Sequence, residues 1–322
     1  MPSKPKHLYK YRSFSALSIE SLVADQVYLA NPADFNDPLD TNPVVTGDIA
    51  LDELEQLVST LVQRRLTDEM KAAASAIRYK GPRTLERIDA LGQRQVRKTL
   101  ADIRYHATNP EYGNALEAKR WLLVDLLQQE LLRQYTSGVL SLAERVNCPL
   151  MWSHYGDQHR GVCIGYAVLD PAPEQLHKVQ YGGSRQVEAS LIARRVEGDE
   201  GASAAVDAAV LLRKARDWRY EREWRLIGKR GLMDSPFELA DVTFGFRCST
   251  AVKWTVASSL ANRAKPVKFY EIHEVPGTFL LKRRLVDHEE LGMQYPRRAL
   301  DRHDELADFD VISGDPDGPQ LV

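Results

Sequence analysis

LYKYRSFSALSIESLVADQVYLANPADFNDP, residues 8–38, opens with bulky and polar side chains in alternation over Leu8–Phe14. That period of two reads as a half-buried strand, with Lys10 and Arg12 on one face and Tyr9 and Tyr11 on the other. Ser18 is placed to cap a short helix running to about Asp25. Val27-Tyr28-Leu29 is a second short strand, stopped at Asn31-Pro32. Ala33 to Pro38 is a turn, because Asn and Asp side chains bond nearby backbone amides and Pro38 keeps Asp37 out of the helical region. The opening therefore predicts strand, helix, strand and polar loop.

From about Ile49 to Arg133 the apolar spacing turns helical, with Leu51, Leu54, Leu57, Val58, Leu61 and Val62 in one stripe and Trp121, Val124, Leu127 and Leu131 in another. Gly81-Pro82 and Asn109-Pro110 divide this region into three helices. Strand patterning returns at Gly138–Leu142, Gly161–Tyr166, Val179–Tyr181, Glu223–Ile227, Val242–Phe246 and Val267–Ile272, with helices expected at 202–217 and 250–263. Interleaving of this kind predicts an α+β class. Residues 1–48 form the first part of the core, 49–135 a helical insertion and 136–286 the remainder of the core. Residues 287–322 form an acidic, partly flexible tail, in which ten acidic residues from Asp287 onward stand against three Arg.

The whole chain of 322 residues is 43% hydrophobic, which supports a core and excludes wholesale disorder. Its formal net charge of −2 argues against a generally cationic nucleic-acid coat. Positions 61–120 depart from that average, with 13 Lys+Arg against 7 Asp+Glu, and offer a basic docking face for a macromolecular acceptor, protein or nucleic acid. Cys148, Cys163 and Cys248 form no CxxC pair and signal neither a disulfide framework nor a thiolate zinc site. The expectation is a reducing, cytoplasmic location with no membrane partner, since neither a signal-peptide run nor a spanning segment is visible. A specialised secretion route stays open.

Four constellations could carry chemistry. Lys10 and Arg12 on one strand face can grip a phosphate or carboxylate. In Tyr220-Glu221-Arg222-Glu223-Trp224-Arg225 the two carboxylates share a face, a spacing at which one can stabilise a cationic sugar centre while the other activates a nucleophile. Trp224 and Arg222 are expected to point inward, and the apolar surroundings from Trp218 and Trp224 to raise a carboxyl pKa. The bland alternative is an exposed edge whose charges pair with Arg219 and Arg225. His154-Tyr155-Gly156-Asp157-Gln158-His159 could supply acid and base, although no fourth ligand marks a metal site. Asn31 through Pro38, including Asn36, can fix a loop over a pocket. No GxGxxG after a strand, GxxxxGK[ST] or GxSxG is present, which makes Rossmann dehydrogenases, P-loop enzymes and α/β-hydrolases poor candidates.

LYKYRSF, VYLANPADFNDPLD, LMWSHYGDQHRGVCIGY and YEREWRLI followed by FGFRCS, in this order, resemble the bacterial domain-of-unknown-function family 2971 (DUF2971). More distantly, the opening strand, helix and strand resemble the start of ADP-ribosyltransferase folds. The resemblance implies a mixed or antiparallel split sheet with a helical insertion. It also implies NAD as substrate, gripped by Arg12 and Lys10, a nicotinamide pocket supported by Ser141, and Glu223 as the catalytic carboxylate. Glu221 two residues earlier is similar to the biglutamate motif of arginine-modifying transferases. Tyr28, Trp152 or Tyr155 are the expected stacking surfaces, with Asn36 and His154 as further contacts.

The function so implied is an NAD-consuming ADP-ribosyltransferase-like toxin or anti-phage defence effector, with an inhibitory partner as a companion expectation. Two other readings stay open at this point. One is a His-based or metal-dependent nuclease centred on His154, Asp157 and His159. The other is a non-catalytic sensor or binding module of a defence system.

Overall fold

The computed structural model describes residues 4–78, 81 and 83–297. Most of the acidic tail therefore lies outside the described residues. In chain order the elements begin with β1 (His7–Arg12), α1 (Ala16–Val23), β2 (Gln26–Leu29), β3 (Val44–Thr46), α2 (Leu51–Ala76), α3 (Thr84–Ala107) and α4 (Ala115–Arg133). There follow β4 (Ser137–Ala143), α5 (Pro149–His154), β5 (Val162–Ala167), β6 (Leu176–Lys178), β7 (Gln180–Tyr181), β8 (Gln186–Glu188), α6 (Ala189–Val196), α7 (Glu200–Leu211) and β9 (Arg213–Lys214). The remainder is β10 (Glu223–Lys229), β11 (Gly231–Asp234), β12 (Glu238–Phe244), α8 (Thr250–Leu260), β13 (Lys268–Glu274), β14 (Leu281–Leu285) and α9 (His288–Gln294). The class is α+β, with mixed strand pairing.

The chain divides into two compact units. The first consists mainly of Val27–Glu144 and Asp170–Pro236, the second of Pro5–Gln26, Arg145–Leu169 and the chain from Phe237 onward.

In the first unit, antiparallel β10 lies between β4 and β6, with Glu223 opposite Ala143 and Arg225 opposite Ser141. Its core joins Leu54, Val58 and Leu61 of α2 to Leu123, Leu127 and Leu131 of α4 and Val206 and Val210 of α7. The helical spacing of these residues places them on inward faces. Trp121 does not join them: it is 58% exposed, and its ring rests against Tyr112. The expected helix at 202–217 ends at Leu211, after which β9 and a 3-10 turn over Arg216–Glu221 carry the chain into β10.

In the second unit the strand order is β14-β13-β12-β5-β1, and the β12–β13 pair is parallel while the others are antiparallel. β5 is buried on both faces, so its sequence reads VCIGYA without alternation. α1 starts one turn earlier than Ser18. Ser15 is the cap, and Ser18 occupies the third helical position, its hydroxyl bonding back to the Ser15 backbone N–H at 2.7 Å. Two serines close this capping box.

Candidate functional site

Glu221 and Glu223 do not share a strand face by simple alternation. Glu221 ends the 3-10 turn, Arg222 takes a left-handed conformation (φ 47°), and Glu223 begins β10. The left-handed residue breaks the period of two, turning Arg222 outward, contrary to expectation, while both carboxylates enter the interior. Trp224 does point inward, on the opposite face of β10 from Glu223, and its indole N–H donates to Glu144.

Around Glu223, which is 3% exposed, a closed set of ion pairs forms. Arg225 Nε donates to Glu223 Oε1 at 2.8 Å, and the same guanidinium reaches Asp40 Oδ2 at 2.7 Å and the Leu211 carbonyl at 2.6 Å. Lys214 Nζ lies 2.6 Å from Glu221, 3.3 Å from Glu223 and 3.4 Å from Asp40. Ser141, beside Arg225 on β4, hydrogen-bonds the Glu223 carboxylate. The backbone N–H of Glu223 donates to the Tyr181 hydroxyl at 2.7 Å. Flat rings cover the cations, Phe35 over Arg225 at 5.2 Å and Trp218 over Lys214 at 5.1 Å. The exposed-edge alternative does not describe Arg225, which is 0% exposed.

The electrostatic result reverses one expectation. Burial by itself pushes the Glu223 carboxyl up, but the adjacent Arg225 and Lys214 charges outweigh it and hold the group below the ordinary carboxylate range. Burial likewise disfavours the charged form of Lys214, yet Glu223 and Glu221 raise its pKa above the usual lysine value. Three carboxylates, Asp40, Glu221 and Glu223, face two cations, leaving one formal negative charge in a desolvated place.

The loop from Asn31 to Asn42 walls a cavity of about 370 Å³ next to these pairs, lined among others by Phe35, Asp37, Asp40, Tyr135, Leu211 and Arg230. Asn31 caps a short 3-10 turn, and Asp37 accepts the Trp218 indole N–H at 2.7 Å, which fixes the loop to the segment preceding β10. Asn36 lies in this loop with its side chain exposed. Tyr28, on β2, is half-exposed.

The remaining candidates belong to the second unit. Lys10 and Arg12 stand on β1 with partly exposed side chains, opposite in sense to the buried Tyr9 and Tyr11. Trp152, expected as a stacking surface, is enclosed core. Its indole N–H donates to the Val146 carbonyl at 2.7 Å, and its ring meets Tyr11 edge-on at 5.1 Å. His154 is exposed at the end of α5, and Tyr155 is half-buried beside it. Asp157, Gln158 and His159 are three successive left-handed residues, and they turn the His159 ring back between Trp152 and Phe246. Among the described residues no group of His, Cys, Asp and Glu is arranged to hold a metal ion.

Sequence reasoning misses Lys214, Asp40 and Tyr181, and it places Arg225 on an exposed edge. The signal that could have found them is the spacing Lys214…Glu221-x-Glu223-x-Arg225, alternating charges ending on a strand whose other face is Trp224 and Leu226. A family model described as "Protein of unknown function (DUF2971)" matches residues 151–226, a span that includes the end of α5, β5, Lys214, Glu221, Glu223 and Arg225. Comparison with curated proteins and with solved structures finds no match. No helix among the described residues is long and apolar enough to cross a membrane.

Proposed function

We propose that the protein is an NAD-consuming glycosyl-transfer enzyme of the ADP-ribosyltransferase kind, a bacterial toxin or anti-phage effector acting in the cytoplasm. The observation that carries the reading is the hydrogen bond between Ser141 and an ionised Glu223. These are the two residues that the resemblance assigns to the nicotinamide pocket and the catalytic carboxylate, and they lie far apart in sequence. Breaking the ribose–nicotinamide bond sends its electron pair to the departing nicotinamide and leaves oxocarbenium character on the ribose carbon. A fixed anion beneath that carbon lowers the barrier. Glu223 is such an anion, held by Arg225, Lys214 and Ser141, and the residual negative charge of the surrounding pairs adds to it. In this reading Glu221 orients the acceptor nucleophile.

Stacking falls to Tyr28, and Asn36 remains a polar contact of the dinucleotide. The acceptor docks on the exposed basic face of α3, where Arg87, Arg94 and Lys98 recur at helical spacing. An inhibitory partner accompanies such an enzyme in its host. The test is nicotinamide release from NAD by the purified protein. Glu223→Gln is expected to lower turnover on the order of 10²-fold or more with NAD affinity little changed, and a chelator is expected to have no effect. Near-normal turnover in Glu223→Gln removes the assignment.

The burial of Glu221 and Glu223 within ion pairs favours a second reading, a non-catalytic binding module in which the pairs fix β10 and its loops. Absence of nicotinamide release, together with a Glu223→Gln variant changed only in stability, selects it.

A further inference from the structure

Asp40 shows an imbalance that the ion pairs do not explain. Its side chain is 2% exposed, and Oδ2 takes both Arg225 and Lys214. Oδ1, equally sealed from solvent, accepts no hydrogen bond among the described residues. A buried carboxylate oxygen without a donor is costly, and native proteins seldom leave one so. Asp40 also lines the cavity of about 370 Å³, together with a second carboxylate, Asp37, and the aromatic rings of Phe35 and Tyr135. The Arg230 guanidinium on the same wall is engaged with the Ser137 and Tyr135 carbonyls. The volume falls in the lower part of the range used for small-molecule sites, about 300–1,000 Å³. Unspent negative charge, a missing donor and flat apolar walls converge here.

We propose that this cavity is a binding site for a small ligand with a planar cationic N–H donor head, an amidinium or guanidinium. Its head sits against Asp40 and supplies the absent donor, and its body lies along Phe35 and Tyr135. The chemistry suits the class: an amidinium carries paired N–H groups that match a carboxylate, and its charge neutralises the excess left by the two cations and three carboxylates. A carboxylate ligand is disfavoured by Asp37 and Asp40, and a neutral amide leaves the charge uncompensated. Phe35 already receives the Arg225 guanidinium on its ring, so planar cations are compatible with this wall. The site is independent of the NAD reading, because the ligand needs neither the dinucleotide nor turnover.

The experiment titrates the full-length protein, without NAD, with benzamidine, benzamide and benzoate by calorimetry. Benzamidine is expected to bind saturably with a Kd of about 1 mM or tighter, benzamide about tenfold more weakly or worse, and benzoate not at all. Ala33 is an exposed residue on the cavity wall, so Ala33→Trp blocks the space without touching the core. It is expected to weaken benzamidine by at least about tenfold. Asp40→Asn is expected to do the same, and where its loss of ion pairs prevents folding, Ala33→Trp carries the test alone. Equal binding of benzamide and benzamidine overturns the cationic assignment. Unchanged binding in Ala33→Trp overturns the location, and no saturable binding of benzamidine overturns the site. Benzamidine binding without nicotinamide release sustains the site and removes the glycosyl-transfer reading; nicotinamide release without benzamidine binding does the reverse.

Discussion

Replacing Arg225 by Met keeps much of the side-chain volume and removes the guanidinium that joins β10 to Asp40 and to the end of α7. Four hydrogen bonds disappear: two to Glu223, one to Asp40 and one to the Leu211 carbonyl. Lys214 is left as the cation facing Asp40, Glu221 and Glu223. Removing one member of a buried pair costs about 3–5 kcal/mol, because its partner's charge stays desolvated. Against a total stability of about 5–15 kcal/mol this is a large fraction. Adding Glu223→Gln to the variant removes one of the stranded charges, so the double substitution should be less damaging than the sum, by a coupling of about 0.5–3 kcal/mol.

The pH dependence has a definite sign. The folded pKa of Glu223 lies below its unfolded value, so its contribution is fully present above the ordinary glutamate range and is lost as pH falls through the folded value. The variant has lost the Arg225 share of that contribution and keeps only the Lys214 share. The stability gap between wild type and Arg225→Met should therefore narrow on acidification. Urea unfolding followed by circular dichroism at pH 7 and near pH 3, below the ordinary glutamate value, measures it. A gap under about 1 kcal/mol at pH 7 would refute a buried, uncompensated charge as the dominant cost, and so would a gap that is the same at both pH values.

Two further outcomes follow from the second unit. A Cβ at Gly245 would collide with the His159 carbonyl, so Gly245→Ala should destabilise by a few kcal/mol, on the order of an overpacked core. Gly292 in α9 has open space around it, and Gly292→Ala should be neutral or stabilising by up to about 1 kcal/mol; thermal unfolding of the two side by side checks the contrast. Burial, with Arg247 adding to it, lowers the His159 pKa, so the fold disfavours the charged imidazole. Stability linked to it is present above the unfolded value and falls as pH drops through the folded one. An NMR titration of His159 should give a midpoint below the usual histidine value, and a midpoint at or above it would contradict the enclosed ring.

Elements whose pattern reflects a single buried face were legible in the sequence. β1 declared itself by alternation, α2 by its apolar stripe, and the helix breaks by Gly81-Pro82 and Asn109-Pro110. Where burial is two-sided or the backbone leaves its regular period, local pattern misleads. Arg225 looked like an edge charge because a strand covered on both faces normally carries apolar residues. Only the distant Asp40, brought by the loop after β2, explains why it does not. Alternation puts Arg222 inward because it assumes extended backbone, and the left-handed conformation of that residue cancels the assumption. Lys214 falls inside the helical spacing of 202–217, since nothing adjacent to it reports the carboxylates that hold it. Trp152 illustrates the converse: an aromatic residue in a distinctive motif suggests a ligand-facing ring, whereas its indole N–H satisfies a backbone carbonyl inside the core.

The second unit gathers its sheet from widely separated parts of the chain, with β1 pairing to β5 from His7 opposite Ala167 to Arg12 opposite Val162. On a ribosome elongating at about 5–20 residues per second, roughly 150 residues of delay leave β1 waiting some 8–30 s for its neighbour. During that interval its backbone donors and acceptors and its tyrosines lie open to other nascent chains. Holdase chaperones that cover this early segment are therefore expected to raise the soluble fraction on co-expression.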